Sequence, residues 1–87
     1  MDDMGNEVVA VFRPASSLLG GLDVMRKYAR EEKGYDMEVR VKNNLIEVSA
    51  RINDKEQLLH FMRSLIDVPV LWENLIGLRC SFSLQAK

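Results

Sequence analysis

The side chains able to do chemistry are few and stand far apart. His60 is the only histidine and Cys80 the only cysteine. A lone histidine without a cluster of cysteine, histidine and carboxylate side chains around it is poor evidence for a metal site or a general base. His60 falls beside the Leu58, Met62 and Leu65 stripe, so it is expected at the surface. Cys80 falls on the core-facing side of a late strand, where a thiol behaves as a small hydrophobe. Glu31-Glu32 and Asp2-Asp3 are adjacent pairs, not carboxylates converging across a cleft. Gly20-Gly21 reads in two ways, as an anion cradle at a helix start or as close packing of a helix against a sheet. No lysine or threonine follows to complete a phosphate loop, which favours packing. The expectation is a non-enzymatic chain with no metal or cofactor.

At 87 residues the chain suits one domain, near the lower size for folding without staples. Its formal net charge is -1, so no excess of positive charge draws it to nucleic acid or acidic lipid. One cysteine excludes an internal disulfide. The short acidic start, Met-Asp-Asp-Met-Gly, is neither a signal peptide nor a membrane span. Direct membrane insertion is therefore not expected. A cytoplasmic location is the default, and a periplasmic one applies if the chain is an excised assembly domain.

The elements that must position these residues are clearer than the chemistry. Met37, Val39 and Val41 alternate with Glu38, Arg40 and Lys42. Ile46, Val48, Ala50 and Ile52 alternate with Glu47, Ser49 and Arg51. A two-residue turn at Asn43-Asn44 sets Val41 against Ile46, Val39 against Val48 and Met37 against Ala50. The same register sets Arg40 against Glu47 and Asp36 against Arg51, so both faces are matched. Asparagine tolerates the positive φ of such a turn. Val39 and Val48 are expected to face the helices.

Residues 1–6 read as a loose tail and 7–87 as a single domain. Residues 7–13 form a β-branched strand, apolar on both faces and ended by Pro14. Residues 16–33 read as a helix capped by Ser16 or Ser17 and stopped by Gly34, with an alternative start near Gly21. Asn53 and Glu56 suggest a capping box. It opens a helix over 54–67 with a broad face of Leu58, Leu59, Phe61, Met62, Leu65 and Ile66. Residues 70–74 are a short connection with room for a turn of helix. The last strand runs over about 75–85, with Ile76, Leu78, Cys80, Phe82 and Leu84 facing the core. Phe61, Leu65, Leu22, Met25, Val48 and Phe82 should share that core.

The order strand, helix, strand, strand, helix, strand predicts an α+β, ferredoxin-like βαββαβ sandwich. Its four-stranded antiparallel sheet would carry two helices on one face. Right-handed crossovers place the first and third strands in the centre. The open sheet face then carries Val9, Val11, Arg13, Glu47, Ser49 and Arg51, none of them aromatic. Binding of single-stranded RNA by stacking is not expected.

Apolar residues without an evident use inside a monomer point to a protein partner. Val9 and Val11 lie on the helix-free face. Leu71 and Trp72 follow Pro69, and Trp72 fits a docking surface and a cap beneath the core equally well. Phe82 and Leu84 lie on a last strand whose Ser81-Phe82-Ser83-Leu84 run has neither charge nor proline to block pairing. These six residues are the expected interface, in a homodimer or a larger assembly.

Three stretches resemble the periplasmic domain of type IV pilus inner-membrane assembly proteins, the PilN-like group. They are Leu45-Ile46-Glu47-Val48-Ser49-Ala50-Arg51-Ile52, Leu58 to Phe61-Met62-Arg63-Ser64-Leu65, and Val68-Pro69-Val70-Leu71-Trp72-Glu73-Asn74. The resemblance implies a non-catalytic assembly domain of a pilus or secretion apparatus. The topology also resembles ACT domains, with residues 13–21 in place of their glycine-bearing ligand loop. That resemblance implies a small-molecule-sensing regulatory module.

Overall fold

The computed structural model describes residues 6–81, so Phe82 and Leu84 lie outside the described residues, as does most of the expected tail. Asn6, assigned to that tail, accepts a 2.8 Å hydrogen bond from the Ile52 amide and so extends the pairing of the first and third strands by one residue. The elements in order are β1 (Glu7–Phe12), α1 (Leu18–Tyr28), a π-helical extension (Ala29–Lys33), β2 (Met37–Lys42), β3 (Leu45–Arg51), α2 (Lys55–Asp67), α3 (Pro69–Asn74) and β4 (Leu75–Ser81). The result is a small α+β fold with a four-stranded antiparallel sheet in the order β2-β3-β1-β4.

The hairpin has the register read from its pattern. Val39 opposes Val48, Met37 opposes Ala50 and Arg40 opposes Glu47. Asn43 and Asn44 both have positive φ, 54° and 65°, as a two-residue turn matched to strand twist requires. Burial fades along β2, however. Met37 is buried and Val39 half-buried, while Val41 is 74 % exposed. The hairpin tip thus runs beyond the helical cover. The ion pairs also differ from the cross-strand expectation. Arg40 meets Glu38 of its own strand at 3.1 Å, and Asp36 meets Arg30 at 3.5 Å. On an exposed edge, these shorter reaches compete successfully with the cross-strand ones.

Val8, Ala10 and Phe12 of β1 are fully buried, and Ile46, Val48 and Ala50 of β3 lie beside them. Leu18, Leu22 and Met25 of α1, Phe61 and Leu65 of α2, and Leu71 of α3 complete one core. Leu59 and Ile66, expected on the apolar face of α2, are instead 59 % and 60 % exposed. The face that packs is narrower than the run of apolar residues.

Helix ends show where local rules were misplaced. Ser17 sits at the α1 cap position but makes no side-chain capping bond. At the other end the chain widens into the π-helical extension, and Gly34 stops it with φ 75°. The capping box of α2 lies one residue later than Asn53 and Glu56 imply. Asp54 Oδ1 accepts from the Gln57 amide at 2.9 Å, and Gln57 Oε1 accepts from the Asn53 amide at 2.8 Å. The expected connection after Val68 is the helix α3, with Pro69 in its first turn. The helical layer therefore has more pieces than the two helices expected.

The two glycines of α1 differ in kind. Nothing lies within 4 Å of where a Gly20 Cβ would stand, whereas a Gly21 Cβ would come within 2.9 Å of Val70 Cγ1. Gly21 is where α1 closes on α3, so the close packing is helix against helix rather than helix against sheet. Gly20→Ala is expected to stabilise by up to about 1 kcal/mol, since alanine is the better helix former. Gly21→Ala should be about 1–3 kcal/mol less stable than Gly20→Ala, because Val70 must move. Paired urea melts check both. Asn44→Val should cost about 1–2 kcal/mol by forcing a branched side chain into the left-handed region.

Candidate functional site

Two regions stand out, a groove in the helical layer and the outer edge of β4. The groove, of about 540 Å³, lies where α1 and the π-helical extension face α2. His60 lines it, half-buried rather than solvent-facing. Its ring lies 5.2 Å from the Tyr28 ring and 5.7 Å, edge-on, from that of Tyr35.

Both ring nitrogens of His60 have hydrogen-bond partners. The Ser64 hydroxyl donates to the His60 carbonyl at 2.8 Å, which uses the only proton Oγ carries. Oγ also lies 3.3 Å from His60 Nε2, and the Tyr35 hydroxyl lies 2.6 Å from Nδ1, each hydrogen bond taking its direction from the ring's tautomer. Burial, and then the positive charge of Lys33, hold the imidazole below its ordinary range and keep it neutral. Burial pushes the Tyr35 phenol upward, so it stays a donor.

Gln57 makes the second polar tie at this end. It is the buried polar side chain of the described core, 7 % exposed. Beyond its capping bond, its Nε2 donates to the Lys33 carbonyl at 3.0 Å. One amide thus joins the start of α2 to the end of the π-helical extension. Its position three residues after Asp54 was the available signal.

The sheet carries the second region. β4 pairs only with β1 among the described residues, which leaves its outer side as an edge. Cys80 opposes Val8, and Leu78 opposes Ala10. Opposed residues share a face, so both lie on the helix side, as expected from alternation. Yet Cys80 is exposed and Leu78 is 38 % exposed, beside two residues that are fully buried. The helical cover ends at β1. Ile76 falls in a register shift between the Phe12–Leu75 and Val11–Gly77 pairs and is 47 % exposed.

The expected interface residues divide among these regions. Val9 and Val11 lie on the helix-free face but are half-buried. Glu47 beside Val11 and Arg79 beside Val9 meet at 3.7 Å, so their ion pair passes over β1 between the two valines. The two valines are thus partly shielded. Leu71 is fully buried and belongs to the core, not to a docking patch, because α3 turns it inward. Trp72 is 56 % exposed. Gly20 and Gly21 both lie inside α1, so no glycine-bearing loop follows β1. No group of histidine, cysteine and carboxylate side chains among the described residues could hold a metal ion. No described helix is long and apolar enough to cross a membrane.

No protein-family model matches the chain, and no curated protein matches it significantly. Among solved structures, the chain is similar to the de novo designed protein Foldit4, with a TM-score of 0.58 and 19 % identity. The match covers 91 % of this chain and 96 % of that one, and it concerns the fold alone.

Gln57→Leu tests the tie at this end of the helical layer. The replacement keeps most of the volume but leaves the Asn53 amide and the Lys33 carbonyl without their partner. A loss of about 1–3 kcal/mol is expected for each group that stays buried. Thermal melts should shift downward by several degrees per kcal/mol in a domain of this size, about 4–8 °C.

Proposed function

We propose that this chain is a non-catalytic protein-interaction domain of ferredoxin-like architecture that pairs the edge of β4 with β4 of a second copy. The observation that carries the reading is the exposure of Leu78 and Cys80 beside fully buried Val8 and Ala10. An edge strand offers a row of free backbone groups, and a neighbour strand satisfies them. The other edge is poorly suited, since β2 presents Glu38, Arg40 and Lys42. On β4 Arg79 is the one charged residue, and Glu47 of the same chain engages it.

Charge also selects a register. An antiparallel pair centred on Leu78 sets Leu78 against its own copy, Cys80 against Ile76 and Arg79 against Gly77. The two arginines then stay apart, and the apolar residues meet on the helix side. The two-fold contact closes on itself and leaves β2 outside it. The strand order, with β3 and β1 central, supports the ferredoxin-like description. Assembly within a pilus or secretion apparatus is the setting implied by the resemblance of residues 45–52, 58–65 and 68–74.

Sedimentation of the wild type against Leu78→Lys and Val41→Lys tests the reading. The wild type should sediment as a dimer in the micromolar to submillimolar range, Leu78→Lys as a folded monomer and Val41→Lys as the dimer. A monomeric wild type, or a Leu78→Lys protein that still dimerises, overturns it.

A further inference from the structure

We propose that the flank of α2 turned away from the groove is the second half of the β4 contact: Leu58, Met62 and Ile66 close against the same flank of a second copy, above the paired strands. The inference rests on the β4 pairing proposed above and adds the part of the surface that strand pairing cannot cover.

Pairing of two edges acts in the plane of the sheet. It satisfies backbone groups but leaves the side chains above that plane open. Leu78 and Cys80 are exposed on the helix side, so their cover has to come from a helical layer. α2 and α3 join β3 to β4, and β1 lies between those strands, so α2 crosses above β1. α1 joins β1 to β2 and crosses above β3 in the same way. The groove between them takes one side of α2, with His60 and Ser64 and the charged Glu56, Arg63 and Asp67. Leu58, Met62 and Ile66 follow one another at i, i+4 and i+8 on the other side, toward β4. Leu58 and Met62 are half-buried against the core, and Ile66 is 60 % exposed. Past Lys55 this flank carries no charge.

A strand edge of 7 residues is small for a stable contact. At about 3.4 Å per residue and about 10 Å deep, it offers on the order of 240 Å². A standard complex buries about 800 Å² on each partner. The flank of α2, about 20 Å long by the helical rise, roughly doubles the contact. Strand spacing brings the two flanks within reach. With strands about 4.8 Å apart, an antiparallel β4 pair sets the two β1 strands about 14 Å apart. Helices about 10–12 Å across above those strands leave a slot only a few ångströms wide. The adaptable Met62 and the exposed Ile66 fill it over Leu78. The two-fold runs the two helices antiparallel, so one uncharged flank meets its own copy.

Sedimentation of the wild type, Leu78→Lys, Ile66→Lys and Leu59→Lys tests the inference, together with intermolecular NOEs from a mixture of labelled and unlabelled wild type. Ile66→Lys places a lysine from each copy in the contact and should weaken the dimer by about tenfold or more. Leu59→Lys changes an equally exposed leucine on the groove side of the same helix and should leave the dimer unchanged. Both side chains are more than half exposed, so circular dichroism should show both variants folded. The wild-type dimer should give NOEs between the Met62 and Ile66 methyl groups of one copy and those of the other, a reading that needs no substitution. Full dimer affinity in Ile66→Lys, with the dimer lost in Leu78→Lys, overturns this inference and leaves the strand pairing standing. Absence of those NOEs in a wild-type dimer, or equal weakening by Leu59→Lys, overturns it too. A monomeric wild type overturns both readings.

Discussion

The fold depends on β1 being paired on both sides. β3 and β4 are brought together only because β1 lies between them, antiparallel to each. That position explains why Val8, Ala10 and Phe12 are fully buried. It also explains why Val9 and Val11, on the opposite face, are half-buried under the reach from Glu47 to Arg79. On that open face the two central strands differ, β1 carrying valines and β3 carrying Glu47, Ser49 and Arg51. The exposed flank of β4 has the same origin, since the helical cover is centred on β1 and β3 and stops short of the edge.

Above the sheet, apolar packing alone does not set how the helices end. Gln57 and His60 sit one turn apart on α2 and reach back to the same short stretch, Lys33 and Tyr35. The π-helical widening at 29–33 and the left-handed Gly34 bring that stretch within reach. Gly21 performs a related task at the opposite end of α1, where Val70 approaches too closely for a Cβ and Val68 and Leu71 lie in contact beside it. The helical layer is thus located by one contact without room for a methyl group and two side-chain hydrogen bonds.

What the sequence revealed followed how local each signal is. The Asn43-Asn44 hairpin was legible because strand alternation and turn chemistry both act within a few residues. The shared core of Leu22, Met25, Val48, Phe61 and Leu65 was legible from helical and strand spacing. The site was not. His60 looks like a surface residue because its partners Tyr28 and Tyr35 come from elements far away in the chain. Leu71 looks like a docking residue until α3 turns it into the core. Cys80 was placed on the correct side of its strand, but alternation cannot say where the helices above a sheet stop. The capping box was misplaced by one residue because Asn53 and Asp54 are both good caps, and the buried Gln57 decided between them.

The pairing of β1 with β4 also has a consequence in time. Glu7 meets Ser81 and Phe12 meets Leu75, so these partners leave the ribosome more than sixty residues apart. The β2–β3 hairpin joins neighbours in the chain and can close within microseconds of emerging. β1 can find β3 early, but its other side stays bare until the last strand has been made. During synthesis an apolar strand therefore waits with one open flank, the condition under which nascent chains most need a chaperone or a slow start.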